Sequence, residues 1–347
     1  MSADPSEDAP GTSPVSGATQ SDLARELGVS RTLVSLALRG RAGVSPAMRR
    51  RILETADRRG YRRNTMAAEL AGRRRTSVGL HLLDARNEIY STILHSVQEE
   101  LAGRERRLVL AVDSAPEHPD PRAVDTLLEA NVGVVISTAV IGSEADIAAL
   151  TARVPLIAMF RRVPGVDSIS SDDDVGARRA VEHLADLGHR RIAHLTGPLF
   201  SGHSDRRESY QRSMSAMGAP ADVVEADGYS RDAGLSAARG LLERPPGHRP
   251  SAVFAHNDEL ALAIREAAAD LGLSIPGDLS LVGYDNSRTA GLTGIDLTTV
   301  DVAAADLGRA AAAAALRRLE DPAAAVVDRR FAPHLVVRGS TGAPRES

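Results

Sequence analysis

The apolar positions along the chain follow two rhythms. Between residues 76 and 340, short continuous runs alternate with longer stretches at helical spacing. The runs are SVGLHLL (77–83), RLVLAV (107–112), VGVVIS (132–137), VPLIAMF (154–160), RIAHLT (191–196), SAVFAH (251–256) and LSLVGY (279–284). VGARRAVEHLADLG (175–188) and DELALAIREAAADLG (258–272) exemplify the helical stretches. Runs of this length predict strands buried on both faces. Their alternation with helices predicts parallel sheets covered on both sides. A stretch of about 265 residues accommodates two such sheets. Ligands of open α/β sheets bind beyond the carboxyl ends of the strands. Asp84, Asn257 and Asp285 stand at those ends and can hydrogen-bond polyols or bases.

Residues 19–75 follow a different rhythm. Thr19, with Asp22 three residues on, predicts a capped helix start. Leu23, Ala24 and Leu27 form its apolar stripe, and Gly28 ends it at a position suited to positive φ. Ser30 caps a second helix. Its apolar side, Leu33, Val34, Ala37 and Leu38, can pack on Leu23 and Leu27, while Arg31, Thr32, Ser35 and Arg39 lie on another side. Helix, glycine turn, helix is the helix-turn-helix pattern, whose second helix enters the major groove of DNA. Arg31 and Thr32 then point forward to base edges, and Ser35 can hold a phosphate or a base. A third helix starts with Ser45 as cap and Pro46 in its first turn, with Ile52, Leu53 and Ala56 facing inward. The following NTMAAELAG (64–72) is amphipathic but too short to hold a helix alone in water.

Charge sharpens the division. The net charge is only −4, but residues 20–75 carry 14 Arg against five acids, and residues 76–347 carry 28 Arg against 38. A basic head on an acidic body suits contact of the head with a polyanion. The chain has no Cys, which excludes disulfides, thiolate metal sites and a cysteine nucleophile. It has no apolar run of the ~20 residues a membrane helix needs, so no membrane contact is expected. The first 18 residues are polar, acidic and rich in Pro and Ser, which reads as a disordered tail and not as a signal peptide.

In these stretches the chain resembles the LacI/GalR family of bacterial transcription regulators. The matching blocks in the head are DLARELGVSRTLVSLAL, the GVS…R..I…A…GY..N pattern and N.MA..LAG. In the body they are GARRAVEHLADLGHRRIAHLTGP, FAHNDELALAI, GDLSLVGYDN and LTTVD. The resemblance implies an α/β fold. It would consist of a disordered tail (1–18), a helix-turn-helix head (19–63), a hinge helix and linker (64–75), and a two-lobed periplasmic-binding-protein-like body (76–340). That body would hold two doubly wound parallel sheets and serve effector binding and dimerisation. It further implies that Arg31, Thr32 and Leu36 read bases, that Ser45 and Asn64 touch the DNA backbone, and that Leu70 wedges into the minor groove. Thr19, Ser30, Ser35, Arg39 and Ala67 complete the DNA-facing set. For the effector it implies Arg206 as the gripping cation, with Arg207 the alternative if the loop shifts by one, Asn257 and Asp285 as polar partners, and Tyr229 as a stacking ring. Asp84, Tyr90, Ile93 and Phe160 would face them from the first lobe. The chain departs from the family pattern at Leu36 and Arg39, and at Phe160–Arg161, where sugar-binding members have Asp. That leaves neutral sugars and anionic or less polar ligands open as effectors.

Other motifs carry less. The acidic SDDDVGAR (171–178) reads as a helix N-terminus sooner than a metal site. GHSDR (202–206) lacks the final glycine of a nucleophile elbow. His189 reads as a loop residue bonded to backbone. No phosphate-binding glycine motif occurs. The expected protein is a cytoplasmic, nucleoid-associated regulator, read as a repressor. It is a homodimer or a tetramer on a pseudo-palindromic operator, with no cofactor, metal or enzymatic activity. A solute receptor would need an exported N-terminus, and an α/β enzyme would need a nucleophile or cofactor loop.

Overall fold

A computed structural model describes residues 18–38, 40–61, 75–104, 106–113, 121–140, 142–198 and 204–345. Arg39, Asn64, Ala67 and Leu70, and with them the hinge reading, lie outside these residues. The chain forms two compact units, Met1–Arg73 and Arg74–Ser347, each described by itself below.

The first unit contains α1 (Gln20–Leu27), α2 (Arg31–Leu38) and α3 (Pro46–Arg58). Thr19 and Asp22 close a full capping box: the Asp22 amide donates to Thr19 Oγ1 at 3.2 Å and the Thr19 amide to Asp22 Oδ2 at 2.9 Å. Gly28 turns the chain in the left-handed region at φ 66°, which a side chain would resist. Ser30 Oγ accepts from the Leu33 amide and Ser45 Oγ from the Met48 amide. Leu23, Val34, Ala37, Ile52 and Ala56 interlock as the core. Leu53 does not face inward as expected; it is 48% exposed. Successive helical residues sit about 100° apart, so Ile52, Thr55 and Ala56 share the buried face and Leu53 falls outside it.

The second unit has two lobes. Lobe one holds β1 (Val78–Leu82), α4 (Glu88–Leu101), β2 (Leu108–Val112), α5 (Asp125–Glu129), β3 (Val134–Ser137), α6 (Glu144–Thr151), β4 (Leu156–Met159) and β5 (Asp167–Ser171). Lobe two holds α7 (Asp173–Asp186), β6 (Ile192–Thr196), α8 (Ser204–Ala216), β7 (Asp222–Glu225), α9 (Arg231–Leu242), β8 (Ala252–Ala255), α10 (Asp258–Asp270), β9 (Ser280–Tyr284) and β10 (Thr298–Asp301). The chain then returns to lobe one with α11 (Ala304–Glu320) and β11 (Asp328–Phe331), and ends in lobe two with β12 (His334–Val336). The first sheet runs β11-β5-β4-β3-β1-β2, all parallel. The second runs β12-β10-β9-β8-β6-β7, with only β12 antiparallel. The double exchange of chain between lobes gives each sheet an edge strand from the far end of the sequence.

Six of the seven apolar runs formed strands covered on both faces. The seventh, β2, is a strand at the sheet edge that leaves Leu110 and Val112 exposed, against the expectation of burial on both faces. Four of the remaining strands, β5, β7, β10 and β11, carry two or more polar residues. β5 reads Asp-Ser-Ile-Ser-Ser, yet every residue is buried. Its Asp167 is held by Arg317 and Arg318 of α11 and by the Val327 amide. α11 lies flat on α4 because Gly308 has no side chain: a Cβ there would stand 2.9 Å from Ser96 Cβ and 3.0 Å from Ile93 O. This packing corrects the placement of Ile93. The residue is fully buried in the core under α11 and does not line the cleft.

Candidate functional site: an interlobe cleft and an exposed helix face

The carboxyl ends of β1, β8 and β9 converge on one open cleft, whose empty space, solvent at its mouth included, is about 1010 Å³. Asp84 follows β1, Asn257 follows β8 and Asp285 follows β9, and all three line it. Tyr90, Phe160, Arg206 and Tyr229 line it as well. Seven of the eight expected residues thus come together, from both lobes; Ile93 alone does not.

Arg206 sits near the start of α8 and is buried. Its Nε donates to Asp173 Oδ2 at 2.9 Å and its Nη1 to the His256 carbonyl at 2.7 Å. Asp285 Oδ1 lies 3.7 Å from Nη1, and the guanidinium stands 3.8 Å over the Tyr284 ring. Burial works against the charge on Arg206, but Asp173, Tyr284 and Asp285 beside it hold its pKa above the ordinary arginine range. Asp285 shows the opposite balance. Burial pushes its carboxyl well above the usual carboxylate range; Arg206 offsets part of this, and Asp258 and Asp173 add to it. Asp285 Oδ1 accepts no hydrogen bond among the described residues, which is costly for a buried carboxylate oxygen. The backbone here is also unusual: Asp285 has φ 106° and Asn286 φ 52°.

The other polar residues are more committed. Asn257 caps α10 through the Leu260 amide at 2.8 Å, and its Nδ2 donates to the Tyr229 carbonyl at 3.0 Å. Asp84 accepts from the Arg86 amide and guanidinium. Phe160 and Tyr90 meet edge to face at 6.2 Å and form an apolar wall. Phe160 holds φ 64°, rare for an aromatic residue, while its amide donates to the Ile169 carbonyl at 3.0 Å. The Tyr229 ring packs on His256 and its hydroxyl donates to the Pro198 carbonyl at 2.7 Å. Burial pushes the Tyr90 and Tyr229 hydroxyls up, so both stay neutral donors. Arg161, expected to bring positive charge near the effector, does not line the cleft. It donates to the Val140 carbonyl at 2.9 Å.

Sequence reasoning missed Asp173, Arg231, Asp232 and Glu259, which also line the cleft. Asp173 belongs to the acidic run, where Asp172 caps α7 as that reading supposed. Five lining carboxylates, Asp84, Asp173, Asp232, Glu259 and Asp285, face three arginines. Each arginine is already paired: Arg86 with Asp84, Arg206 with Asp173, and Arg231 with Asp232 and Glu266. Among the described residues no group of three or more His, Cys, Asp or Glu could hold a metal ion. No helix of the described residues is long and apolar enough to cross a membrane. His189 bonds Ser251 and the Gly342 carbonyl, as a loop anchor would.

In the first unit, Arg31 and Thr32 are exposed at the start of α2, Ser35 and Leu36 half-buried, and Ser30 and Ser45 at helix caps. The exposed amino-terminal corner of α2 is the part that a helix-turn-helix inserts into the major groove.

A periplasmic binding protein-like domain family matches residues 181–341. Catabolite control protein A of Priestia megaterium is 30% identical over 298 residues, which cover 84% of this chain and 89% of that protein. The structure of the Lac repressor dimer bound to operator and the anti-inducer ONPF superposes with a TM-score of 0.78 at 26% identity, covering 94% of this chain and 99% of the other. A complex of the transcriptional regulator CelR with cellobiose superposes with a TM-score of 0.66 at 27% identity, covering 93% and 99%. A basic helix-turn-helix unit, two α/β lobes around a hydrogen-bonding cleft and this full-length similarity have one reading: the chain belongs to the LacI/GalR family and is an effector-controlled, DNA-binding transcription regulator, not an enzyme.

Proposed function

We propose that this chain is a homodimeric repressor, cytoplasmic and associated with the nucleoid, whose effector is a neutral sugar bound between the lobes. The effector class rests on one observation: Asp285 Oδ1 is buried, has no hydrogen-bond partner among the described residues and stands next to a fixed guanidinium. A carboxylate oxygen beside an arginine edge gives an acceptor and a donor at the spacing of neighbouring hydroxyls. An anion is disfavoured, because carboxylates outnumber arginines around the cleft and every lining arginine is already paired. Tyr90, Phe160 and Tyr229 supply apolar faces for a sugar ring. The cellobiose complex of a structural neighbour supports the same class.

At the DNA, Arg31, Thr32 and Leu36 read base edges, and Thr19, Ser30, Ser35, Arg39 and Ser45 position the head. Asn64, Ala67 and Leu70 serve the hinge over the central minor groove. Two heads take two half-sites of a pseudo-palindrome, as two-fold symmetry requires; a tetramer would join two such dimers. Sugar binding couples to operator affinity only if the sugar binds the two lobe arrangements unequally.

The test is a thermal-shift screen of the full chain against D-ribose, D-glucose, maltose, cellobiose, glucose 6-phosphate and adenosine. A neutral sugar should raise the melting temperature with saturation, and Asp285→Asn should abolish the shift. A response confined to the phosphate or the nucleoside would replace the sugar reading.

A further inference from the structure

The arginine in the cleft is held by a construction whose parts are spread over three elements. Arg206 Nε donates to Asp173 Oδ2 at 2.9 Å, at the start of α7. Asp173 Oδ1 accepts the Tyr284 hydroxyl at 2.9 Å, at the end of β9. The same Tyr284 ring lies 3.8 Å beneath the guanidinium. One carboxylate therefore ties the plate under the guanidinium to its edge. The His256 carbonyl fixes Nη1 at 2.7 Å. Nη2 has no hydrogen-bond partner among the described residues.

Tyr284 reaches Asp173 only because residue 176 is glycine. A Cβ on Gly176 would stand 2.1 Å from the Tyr284 oxygen and 2.9 Å from its Cζ. The φ of Gly176 is ordinary for a helix, so this is a demand of space and not of backbone conformation. Ser209 Oγ, one turn after Arg206, donates to the Asp174 carbonyl at 2.7 Å, and Arg212 pairs with Asp174. Both contacts lock α8 against the start of α7. A buried tyrosine hydroxyl and a half-buried carboxylate are costly unless paired, and here each satisfies the other.

We propose that Asp173, Tyr284 and Gly176 are positioning residues: together they fix the Arg206 guanidinium so that its Nη2 edge meets the effector while Asp285 remains free to accept a hydroxyl. Without the cage, Arg206 has the Asp285 carboxylate within reach, its Oδ1 3.7 Å from Nη1. It would close that gap and consume both groups the effector needs. Asp173 and Tyr284 therefore act on affinity through Arg206, without contacting the effector. Gly176 acts one step further back, by leaving space for the hydroxyl. The proposal deepens the reading of Arg206 as the effector grip and rests on it.

The experiment has two arms. In the first, crystal structures of the ligand-free full chain are compared for the natural protein, Asp173→Asn and Tyr284→Phe. The guanidinium should swing to hydrogen-bonding distance of Asp285 in Asp173→Asn and shift the same way, by less, in Tyr284→Phe. An Arg206 unmoved in both variants overturns the cage, whatever the effector is. In the second, calorimetric titrations use cellobiose, maltose and D-ribose as probes. Tyr284→Phe should weaken the sugar that binds by about ten-fold, the loss expected for one hydrogen bond to a charged group. Gly176→Ala should do the same, and Tyr284→Phe should add nothing in an Arg206→Ala background. Residues acting through a shared partner are non-additive in this way, whereas a general loss of stability would add in full. Full additivity overturns the proposal. Binding by none of the three sugars counts against the sugar reading alone, and the crystallographic arm then decides the cage.

Discussion

Asp285 is the residue with the most to gain from a ligand and the most to lose without one. Its carboxyl is raised by burial in the native state, so the folded protein holds that proton more tightly than the unfolded chain does. Stability from this group is fully present below the unfolded value of 3.8 and is lost as pH rises through the native value. Asp285→Asn removes the charge and keeps the shape. It should stabilise the ligand-free protein at neutral pH by on the order of 1 kcal/mol, with no gain below about pH 3.8, while weakening sugar binding. Melting curves across pH check the first half and titration the second; a variant less stable than the natural protein at pH 7 would contradict the burial argument. His194 behaves the other way. Burial between Tyr210 and Phe254 pushes its pKa down to about 4 from 6.5. The native state refuses a proton that the unfolded chain accepts, so stability is present above pH 6.5 and falls as pH drops toward 4. That shift corresponds to about 3 kcal/mol. His194→Gln should flatten the acid limb of the stability curve over this window; an unchanged limb would show that other groups govern acid unfolding.

At the scale of elements, the head turns on α2. If its exposed corner reads bases, Arg31→Ala should cost roughly 1–3 kcal/mol on the preferred operator and much less on random DNA. Equal losses, measured by fluorescence anisotropy, would reduce Arg31 to a phosphate contact. The elements also show which parts of the molecule could be read from sequence. Strands made of Val, Ile, Leu and Ala were legible because burial on both faces demands apolar residues throughout. β5 was not, because its Asp167 carboxylate is paired by Arg317 and Arg318, which lie 150 and 151 residues away, and its Ser168 hydroxyl is satisfied by the backbone of Val163 and Val166. In α3, Ile52 and Ala56 were legible and Leu53 was misplaced, because the buried face runs through Ile52, Thr55 and Ala56, and Leu53, about 100° round from Ile52, falls outside it. In the cleft, Arg206, Asn257 and Asp285 could be found from local blocks that match a family. Asp173 could not. Its acidic neighbours explain it as part of a helix N-terminus, and only the fold brings it to Arg206 across 33 residues. Ile93 failed for the converse reason: the family resemblance placed it at the cleft, but the close approach allowed by Gly308 turns that face into core.

For the whole molecule, the separate compact units allow DNA binding and effector binding to be separated by mutation. A symmetric dimer requires a preferred site made of two half-sites about one helical turn apart. Selection from random DNA should return such a pseudo-palindrome, and an asymmetric single site would exclude the paired-head arrangement. Effector control requires that the cleft report to the heads through a difference in affinity between two arrangements of the lobes. Coupling of about 1–3 kcal/mol is the usual range and would change operator affinity several-fold to more than a hundred-fold. The most direct measurement is operator binding by anisotropy, with and without the sugar found in the screen, in the natural chain and in Arg206→Ala. The natural chain should change its operator affinity on adding the sugar, while Arg206→Ala should keep the sugar-free affinity and lose the response. An Arg206→Ala variant that is folded but cannot bind operator without sugar, or one that responds to sugar like the natural chain, would contradict control through this cleft.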